Sequence, residues 1–228
     1  MRFLFTTFEG GGHVPPAIVV ARELRRRGHA VRLVSDEANR AAVLAAGLGF
    51  DSWRRAPNRR VAALPDDPLD DWRRRWPAHV VRAICDAVIC RPAAAYAADT
   101  LAMLGEFEPD LVVSNELLFG VLAAAEAAAT PVALLTANVW CFPTREDLPP
   151  FGPGFAPAQR EWQFRRDRAT RRLVAAMYDC GLDDLTAARR RLALPPLRAT
   201  LEQLRSASTV VLGTSRAFDY GAGPPRGF

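Results

Sequence analysis

TTFEGGGHVPPA, residues 6–17, joins an apolar stretch to a helical pattern through three consecutive glycines and a histidine. A strand is predicted over residues 3–7 and a helix over residues 14–27. Pro15 and Pro16 fall in the first helical turn, where a missing N–H leaves no hydrogen bond unmade. The loop between strand and helix lies at the carboxyl edge of the strand, where open α/β sheets bind their ligands. This segment therefore predicts a parallel α/β sheet with a site beside His13.

His13 is the candidate catalytic residue of this loop. The glycines at 10–12 permit a tight turn and let a second molecule approach the backbone without Cβ clashes. The partial positive charge at a helix N-terminus opposes protonation of the imidazole, and a neutral histidine in a cleft is what a general base requires. The alternative is a structural histidine that only hydrogen-bonds the loop. The other two histidines, His29 and His79, lack such a setting and are interpreted as structural or solvated.

Apolar runs alternate with helical patterns along the rest of the chain. Further strands are predicted at residues 30–35, near Phe50, and at 111–114, 132–135 and 209–212; helices are predicted at 36–46, 70–91, 92–106, 117–129, 157–180 and 183–192. Strands that alternate with helices predict a parallel sheet with right-handed crossovers. The expected fold class is α/β, a Rossmann-like parallel sheet flanked by helices. It occupies one domain at residues 1–212, and a linker is predicted at 213–228.

The composition is that of an ordinary globular protein, with half of the 228 residues hydrophobic and 24% charged. The net charge is +5, and every basic residue counted in it is an arginine, since the chain contains no lysine. The arginines are spread over the predicted helices. A nucleic-acid partner is therefore not expected. No apolar run is long enough for a transmembrane helix, and the first apolar stretch is too short for a secretory signal. The expected location is cytoplasmic.

The cysteines show no metal-binding pattern. Cys85, Cys90, Cys141 and Cys180 include no CxxC pair and no metal-ligand spacing. They are interpreted as buried, reduced thiols, and no metal site is expected.

Four segments of the chain resemble the N-terminal half of a GT-B-fold glycosyltransferase, in the family that glycosylates macrolides and other lipophilic natural products. They are TTFEGGGHVPPA (6–17), GHAVRLVSDE (28–37), PDLVVSNELLFG (109–120) and GTSRAFDY (213–220), of which only the first is individually specific. The resemblance implies a Rossmann-like domain that binds a lipophilic small-molecule acceptor. It also implies a second domain that binds the nucleotide sugar across a cleft, with the nucleotide sugar as co-substrate and no cofactor.

The resemblance also implies roles for individual residues. His13 takes the position of the base that deprotonates the acceptor hydroxyl, and the sugar is transferred with inversion. Many members have an aspartate at the end of the strand that follows the Pro-Asp pair, where it accepts the second N–H of the histidine. This sequence has Asn115 there, with Glu116 beside it. We expect Asn115 to orient His13, with Glu116 as the weaker candidate. A simpler interpretation makes Asn115 the N-cap of the next helix.

The acceptor is expected to contact the glycine-rich loop and an aromatic loop at residues 138–157. Gly11 and Gly12 are the candidates in the first loop, and Trp140, Phe142 and Phe151 are the candidates in the second. Aromatic side chains with few polar groups are typical of a pocket for an apolar ligand. The alternative is that these rings anchor a proline-rich loop to the core.

The donor-binding half of such an enzyme has no counterpart within these 228 residues. We therefore expect negligible transfer by this chain alone. A C-terminal domain supplied by another chain is one expected partner.

Three other functions are considered as alternatives. A nicotinamide-dependent oxidoreductase would use Asp36 to bind a ribose, but the third glycine of its fingerprint would be Pro15. A phosphate-binding NTPase is excluded more strongly, because no Gly-Lys-Ser/Thr follows the glycines. The third alternative is a non-catalytic module that binds a hydrophobic ligand or another chain.

Overall fold

Six strands form one parallel sheet in the computed structural model, which describes residues 1–62, 69, 73–215 and 218. The strands are β1 (Arg2–Thr6), β2 (Ala30–Ser35), β3 (Gly49–Ser52), β4 (Leu111–Ser114), β5 (Val132–Thr136) and β6 (Thr209–Leu212). The helices in this part of the chain are α1 (Val14–Arg26), α2 (Arg40–Ala45), α3 (Pro77–Ile84), α4 (Ala93–Phe107), α5 (Phe119–Ala127), α6 (Glu161–Tyr178) and α7 (Leu182–Arg191). The predicted α/β class with a parallel, helix-flanked sheet is confirmed.

The sheet is buried on both faces because neighbouring residues of each strand enter opposite cores. Leu4, Val112 and Leu134 pack with α4 and α5 on one face. Phe5 and Val113 pack with α1 and α2 on the other face. This explains why β4 and β5 read as continuous apolar runs and not as alternating patterns.

The strand order β3-β2-β1-β4-β5-β6 changes direction at β1. The chain moves outward from β1 to β2 and β3, and then returns to place β4 on the other side of β1. The register pairs Thr6 with Ser114. The loops that follow β1 and β4 therefore leave the same edge of the sheet side by side, at the point where α/β proteins bind their ligands.

Several predicted elements have different bounds in the structure. The helix predicted from residue 36 is a 3₁₀ turn at Glu37–Asn39 followed by α2. The helix predicted at 70–91 begins at Pro77 among the described residues, and it continues as a π-helix over Cys85–Ile89. A 3₁₀ segment at Thr200–Ser206 was not predicted. The linker predicted at 213–228 falls mostly on residues 216–217 and 219–228, outside the described part of the chain.

The cysteines differ in exposure, which corrects the prediction that all four are buried. Cys85 and Cys90 are buried, Cys141 is half-buried and Cys180 is exposed, and all four are free thiols. In the described part of the chain, no helix has the length and apolar character needed to cross a membrane.

Candidate active site at the β1–β4 edge

The glycine-rich loop brings His13 over the carboxyl end of β1. His13 is the residue before α1, with helical backbone angles of φ −84° and ψ −29°. A Cβ at Gly10 would lie 2.7 Å from the Phe8 ring and 3.0 Å from His13 Cδ2, so only glycine lets these rings pack as they do, with centroids 5.2 Å apart. Gly11 has φ +75°, a conformation that favours glycine. The loop therefore fixes the position of a half-buried imidazole.

Asp36 links the glycine-rich loop, through Glu9, to the loop that follows β3, through Arg59. Its carboxylate accepts the backbone N–H of Glu9 at 2.7 Å on one oxygen and the backbone N–H of Arg59 at 2.6 Å on the other. The side chain is 3% exposed, and burial raises the pKa of its carboxyl above the usual value. Pro15 and Pro16 also remove N–H groups that a diphosphate at the start of α1 would need. Asp36 thus serves the fold and does not face a ribose, which argues against the oxidoreductase alternative.

The side-chain amide of Asn115 lies against the His13 ring. Asn115 Nδ2 is 2.9 Å from His13 Nδ1 and donates at 2.9 Å to Glu116 Oε2, while its Oδ1 accepts the backbone N–H of Leu117 at 2.9 Å. Because an NH₂ group only donates, Nδ1 of a neutral His13 must accept. The ring proton then lies on Nε2. The aspartate that many family members have at this position accepts from the histidine, whereas the structure places the nitrogen of the Asn115 amide at the ring.

The bond to Leu117 also bears on the capping interpretation of Asn115. Helix α5 begins at Phe119, and its N-cap position is Leu118, which makes no side-chain cap bond. The Asn115 oxygen therefore closes the turn before the helix and does not cap the helix itself.

Glu116 is buried directly behind Asn115. It is 3% exposed, and Thr136, the last residue of β5, donates its hydroxyl to Glu116 Oε1 at 2.9 Å. Burial raises the pKa of this carboxyl to about 7, although the Thr136 hydrogen bond opposes the rise. Glu116 therefore carries a charge that changes near neutral pH, close to the candidate base.

The pKa of His13 is lowered below 6.5, which keeps the ring neutral at pH 7. The direction agrees with the prediction from the helix N-terminus, but the main cause is burial of the ring. The nearby carboxylate of Glu9, which also accepts the N–H of Gly11 at 3.1 Å, acts in the opposite direction. A buried, neutral imidazole has the protonation state of a general base.

The aromatic loop after β5 divides into a part in the core and a part that lines a cavity. Phe142 is 3% exposed and packs against Phe119 and Tyr178, with centroids 6.2 and 5.7 Å away. Trp140 is 5% exposed and packs against Phe142 in the same core, with ring centroids 5.3 Å apart. It also lines, together with the exposed Phe151, a cavity of about 340 Å³. Its other lining residues are Val139, Leu148, Pro149, Pro150, Gly152, Gly154, Phe155 and Phe218. Of the three aromatic candidates, Phe142 and Trp140 therefore anchor the loop in the core, while Trp140 and Phe151 line the cavity.

The sequence analysis assigns no role to Thr136, and it considers Asp36 only as a ribose-binding residue and not as the group that holds the two loops together. The signal for Thr136 was a polar residue ending the apolar strand VALLT, at the same sheet edge as His13. Among the described residues, no cluster of three or more histidine, cysteine or acidic side chains is arranged to hold a metal ion.

Comparison with known proteins supports the resemblance. Residues 3–133 match the model of the glycosyltransferase family 28 N-terminal domain. The chain is 30% identical over 240 residues to 4'-demethylrebeccamycin synthase of Lentzea aerocolonigenes, covering 98% of this chain and 54% of the relative. The chain thus spans about half the length of this curated relative.

Solved structures show the same fold. The glycosyltransferase of kitacinnamycin superposes with a TM-score of 0.60 at 15% identity, covering 100% of this chain and 52% of that one. The glycosyltransferase SsfS6 of Streptomyces sp. SF2575, solved with thymidine diphosphate, gives 0.52 at 18% identity, covering 85% of this chain and 46% of that one. The family match covers more than half of the chain, and the fold agrees with it. The chain therefore belongs to the glycosyltransferase family 28 N-terminal domain family.

Proposed function

We propose that this chain is the acceptor-binding half of an inverting glycosyltransferase, in which His13 is the general base. The observation that carries the proposal is the position of a neutral, half-buried imidazole at the β1–β4 edge, in hydrogen-bond contact with Asn115. Two separate strands deliver these side chains to one place, which is typical of a functional site in an α/β sheet.

The proposed chemistry uses Nε2, the ring nitrogen that does not contact Asn115. His13 Nε2 takes the proton of the acceptor hydroxyl while a bond forms between the acceptor oxygen and the anomeric carbon of the sugar. The bond from that carbon to the diphosphate breaks on the opposite side, so the configuration inverts. For this step Nε2 must hold a lone pair, and the ring proton must therefore lie on Nδ1. This is the other tautomer from the one that the Asn115 NH₂ group favours in the structure.

The acceptor is proposed to be a lipophilic small molecule in the cavity beside Trp140 and Phe151. The volume of this cavity, about 340 Å³, lies within the range of ordinary ligand pockets. Thr136 contacts Glu116, so the loop that follows β5 begins next to the His13 group. In the glycine-rich loop, Gly11 and Gly12 are exposed and leave open space around their backbone for the acceptor.

The donor is proposed to be a sugar linked to a nucleoside diphosphate, bound mainly by a second domain. The solved structure of SsfS6 contains thymidine diphosphate, and this chain covers 46% of that protein. We infer that the donor-binding half lies outside these 228 residues, either on the same polypeptide or on a partner chain.

Transfer by a two-domain enzyme tests the proposal. This chain is joined to the C-terminal half of 4'-demethylrebeccamycin synthase, and turnover of nucleoside diphosphate hexoses is measured against a panel of lipophilic alcohols and phenols. His13→Ala is expected to lower kcat by roughly 10²–10⁴-fold, the usual contribution of a general base. Acceptor affinity, measured by calorimetry, should stay unchanged. His79→Ala is the matched control, since His79 is exposed on α3.

The outcomes separate the alternatives. A His13→Ala enzyme that keeps its kcat would reject the base role. Acceptor binding without transfer in any combination would favour the non-catalytic module. Turnover by the isolated chain would show that it needs no separate donor domain.

A further inference from the structure

Four side chains form a continuous hydrogen-bonded series from the ring of His13 into the protein interior. His13 contacts the amide of Asn115, Asn115 contacts the carboxyl of Glu116, and Glu116 accepts from the hydroxyl of Thr136, each at 2.9 Å. We call this series the amide network. Asn115, Glu116 and Thr136 are at most 4% exposed, so the network contains an ionisable group, Glu116, that solvent does not reach directly.

The orientation of the Asn115 amide depends on its neighbours. Its oxygen accepts the N–H of Leu117, and one of its two N–H groups points at Glu116 Oε2. A carboxylate has no proton to donate, so an ionised Glu116 requires the NH₂ side of the amide. The remaining N–H then points at His13 Nδ1. In this state Nδ1 is an acceptor and the ring proton is on Nε2, which blocks the nitrogen that a base would use.

We propose that Glu116 is a positioning residue that decides, through the amide of Asn115, which ring nitrogen of His13 carries the proton. When Glu116 is ionised, the amide presents its NH₂ group and His13 holds its proton on Nε2. When Glu116 is protonated, its O–H donates to the amide oxygen, and the amide turns over by rotation about its Cβ–Cγ bond. The oxygen then also accepts a proton from His13 Nδ1.

The protons balance in this exchange. Glu116 gains one proton from solvent. The ring of His13 releases the proton on Nε2 to solvent and takes up another at Nδ1, so the ring stays neutral with one proton. The turned amide loses its bond from the N–H of Leu117 and faces that group with its own NH₂. The turned state therefore forms only when the amide oxygen gains two donors, the O–H of Glu116 and the N–H of His13, that offset this cost. Lone-pair electrons at Nε2 become available to a hydroxyl group in this state alone.

The groups around Glu116 allow its carboxyl to titrate at pH values where the ring of His13 is neutral. It is faced by the Asn115 amide on its own loop, by the hydroxyl of Thr136 on β5, by the thiol of Cys141 on the following loop and, through the amide, by His13. The pKa of the Cys141 thiol is raised to about 12, by burial and then by the charge of Glu116, so the thiol is neutral when Glu116 titrates. The pKa of Glu116 near 7 and the lowered pKa of His13 leave a pH interval in which Glu116 is protonated and the ring is neutral.

The link to catalysis rests on the proposed function, but the proton position does not. The chain is labelled with ¹⁵N-histidine, and long-range ¹H–¹⁵N spectra are recorded between about pH 5.5 and pH 9. Such spectra distinguish a ring nitrogen that carries a proton from one that does not. The chain has three histidines, and the signals of His13 are those lost in His13→Gln.

In the wild-type chain, the share of neutral His13 with the proton on Nδ1 is expected to fall at least about tenfold from pH 6 to pH 8.5, as a group with a pKa near 7 loses its proton. In Glu116→Gln the side chain does not ionise, so the share of neutral His13 with the proton on Nδ1 should stay constant over this range. Thr136→Val removes a donor to the carboxylate and should move the midpoint to higher pH. Asn115→Asp should hold the proton on Nδ1 throughout, because a carboxylate accepts it. Glu106→Gln, an exposed change on α4, is the matched control and should behave as wild type.

A wild-type ratio that does not change with pH, or one that changes equally in Glu116→Gln, would overturn the inference whatever the enzyme's activity. A ratio that responds as described, in an enzyme whose turnover does not need His13, would instead reject the proposed function and leave the proton-positioning role intact.

Discussion

Glu116→Gln is expected to change how the free energy of unfolding depends on pH. The carboxyl of Glu116 has a pKa of about 7 in the folded protein against 4.5 when exposed to water. Because the folded state holds the proton more tightly, stability falls as pH rises from about 4.5 to about 7, and it stays lower above that. A shift of this size corresponds to roughly 3 kcal/mol, at about 1.4 kcal/mol per pKa unit. Glutamine is uncharged at every pH and avoids this loss.

The assay compares wild type and variant in urea, with unfolding followed by tryptophan fluorescence at several values between about pH 4.5 and 8.5. The stability of the variant relative to wild type should increase by roughly 3 kcal/mol across this range. The lowered pKa of His13 and the raised pKa of Asp36 also affect the pH dependence. Both groups are present in the two proteins, so their effects largely cancel in the difference.

Equal pH dependence in the two proteins would refute the reasoning, because it would show that burial of Glu116 carries no desolvation cost in the folded state. Glu106→Gln serves as the control for loss of a negative charge, since the Glu106 carboxyl is 44% exposed beside Arg54. Its difference from wild type should vary little with pH.

Three further changes test the packing around the site. Gly10→Ala should cost about 1–3 kcal/mol in urea unfolding, because its Cβ would lie 2.7 Å from a neighbouring ring, whereas Gly12→Ala meets open space and should stay within about 0.5 kcal/mol. Asp36→Asn should cost about 1–3 kcal/mol at pH 7, since its NH₂ group would face one of two backbone N–H groups; an unchanged unfolding midpoint would contradict this role. Phe142→Ala should cost about 3–5 kcal/mol, while Phe151→Ala should leave thermal stability nearly unchanged and weaken acceptor binding in calorimetry. Equal losses of stability in these last two variants would contradict the different positions of their rings.

The fold was largely predictable because strands buried on both faces leave a strong local signal. The apolar runs in β4 and β5 and the glycine-rich turn after β1 each specify their own structure. The bounds of elements that depend on distant contacts were harder to predict. The π-helix at Cys85–Ile89 and the 3₁₀ segment at Thr200–Ser206 are examples, since each packs against other parts of the chain.

The candidate site was predicted at the level of residues but not of atoms. His13 and Asn115 are 102 positions apart, and the expectation that they meet came from the family resemblance. The direction of the hydrogen bond between Asn115 and His13 depends on the contacts of the Asn115 amide with Leu117 and Glu116. These contacts form only when the three residues are packed together. Likewise, nothing in the spacing of Phe142 and Phe151 distinguishes a ring in the core from one on a cavity wall.

The sequence by itself determined the alternation of strands and helices, the glycine-rich turn and the identity of the imidazole, because each follows from neighbours within a few residues. Tertiary structure alone decided what surrounds that imidazole. The switch in strand order beside β1 brings the ends of β1, β4 and β5 together, and burial at this edge raises the pKa of Glu116 and lowers that of His13. Desolvation and hydrogen-bond direction are properties of the packed edge of the sheet, which no single segment of the chain contains.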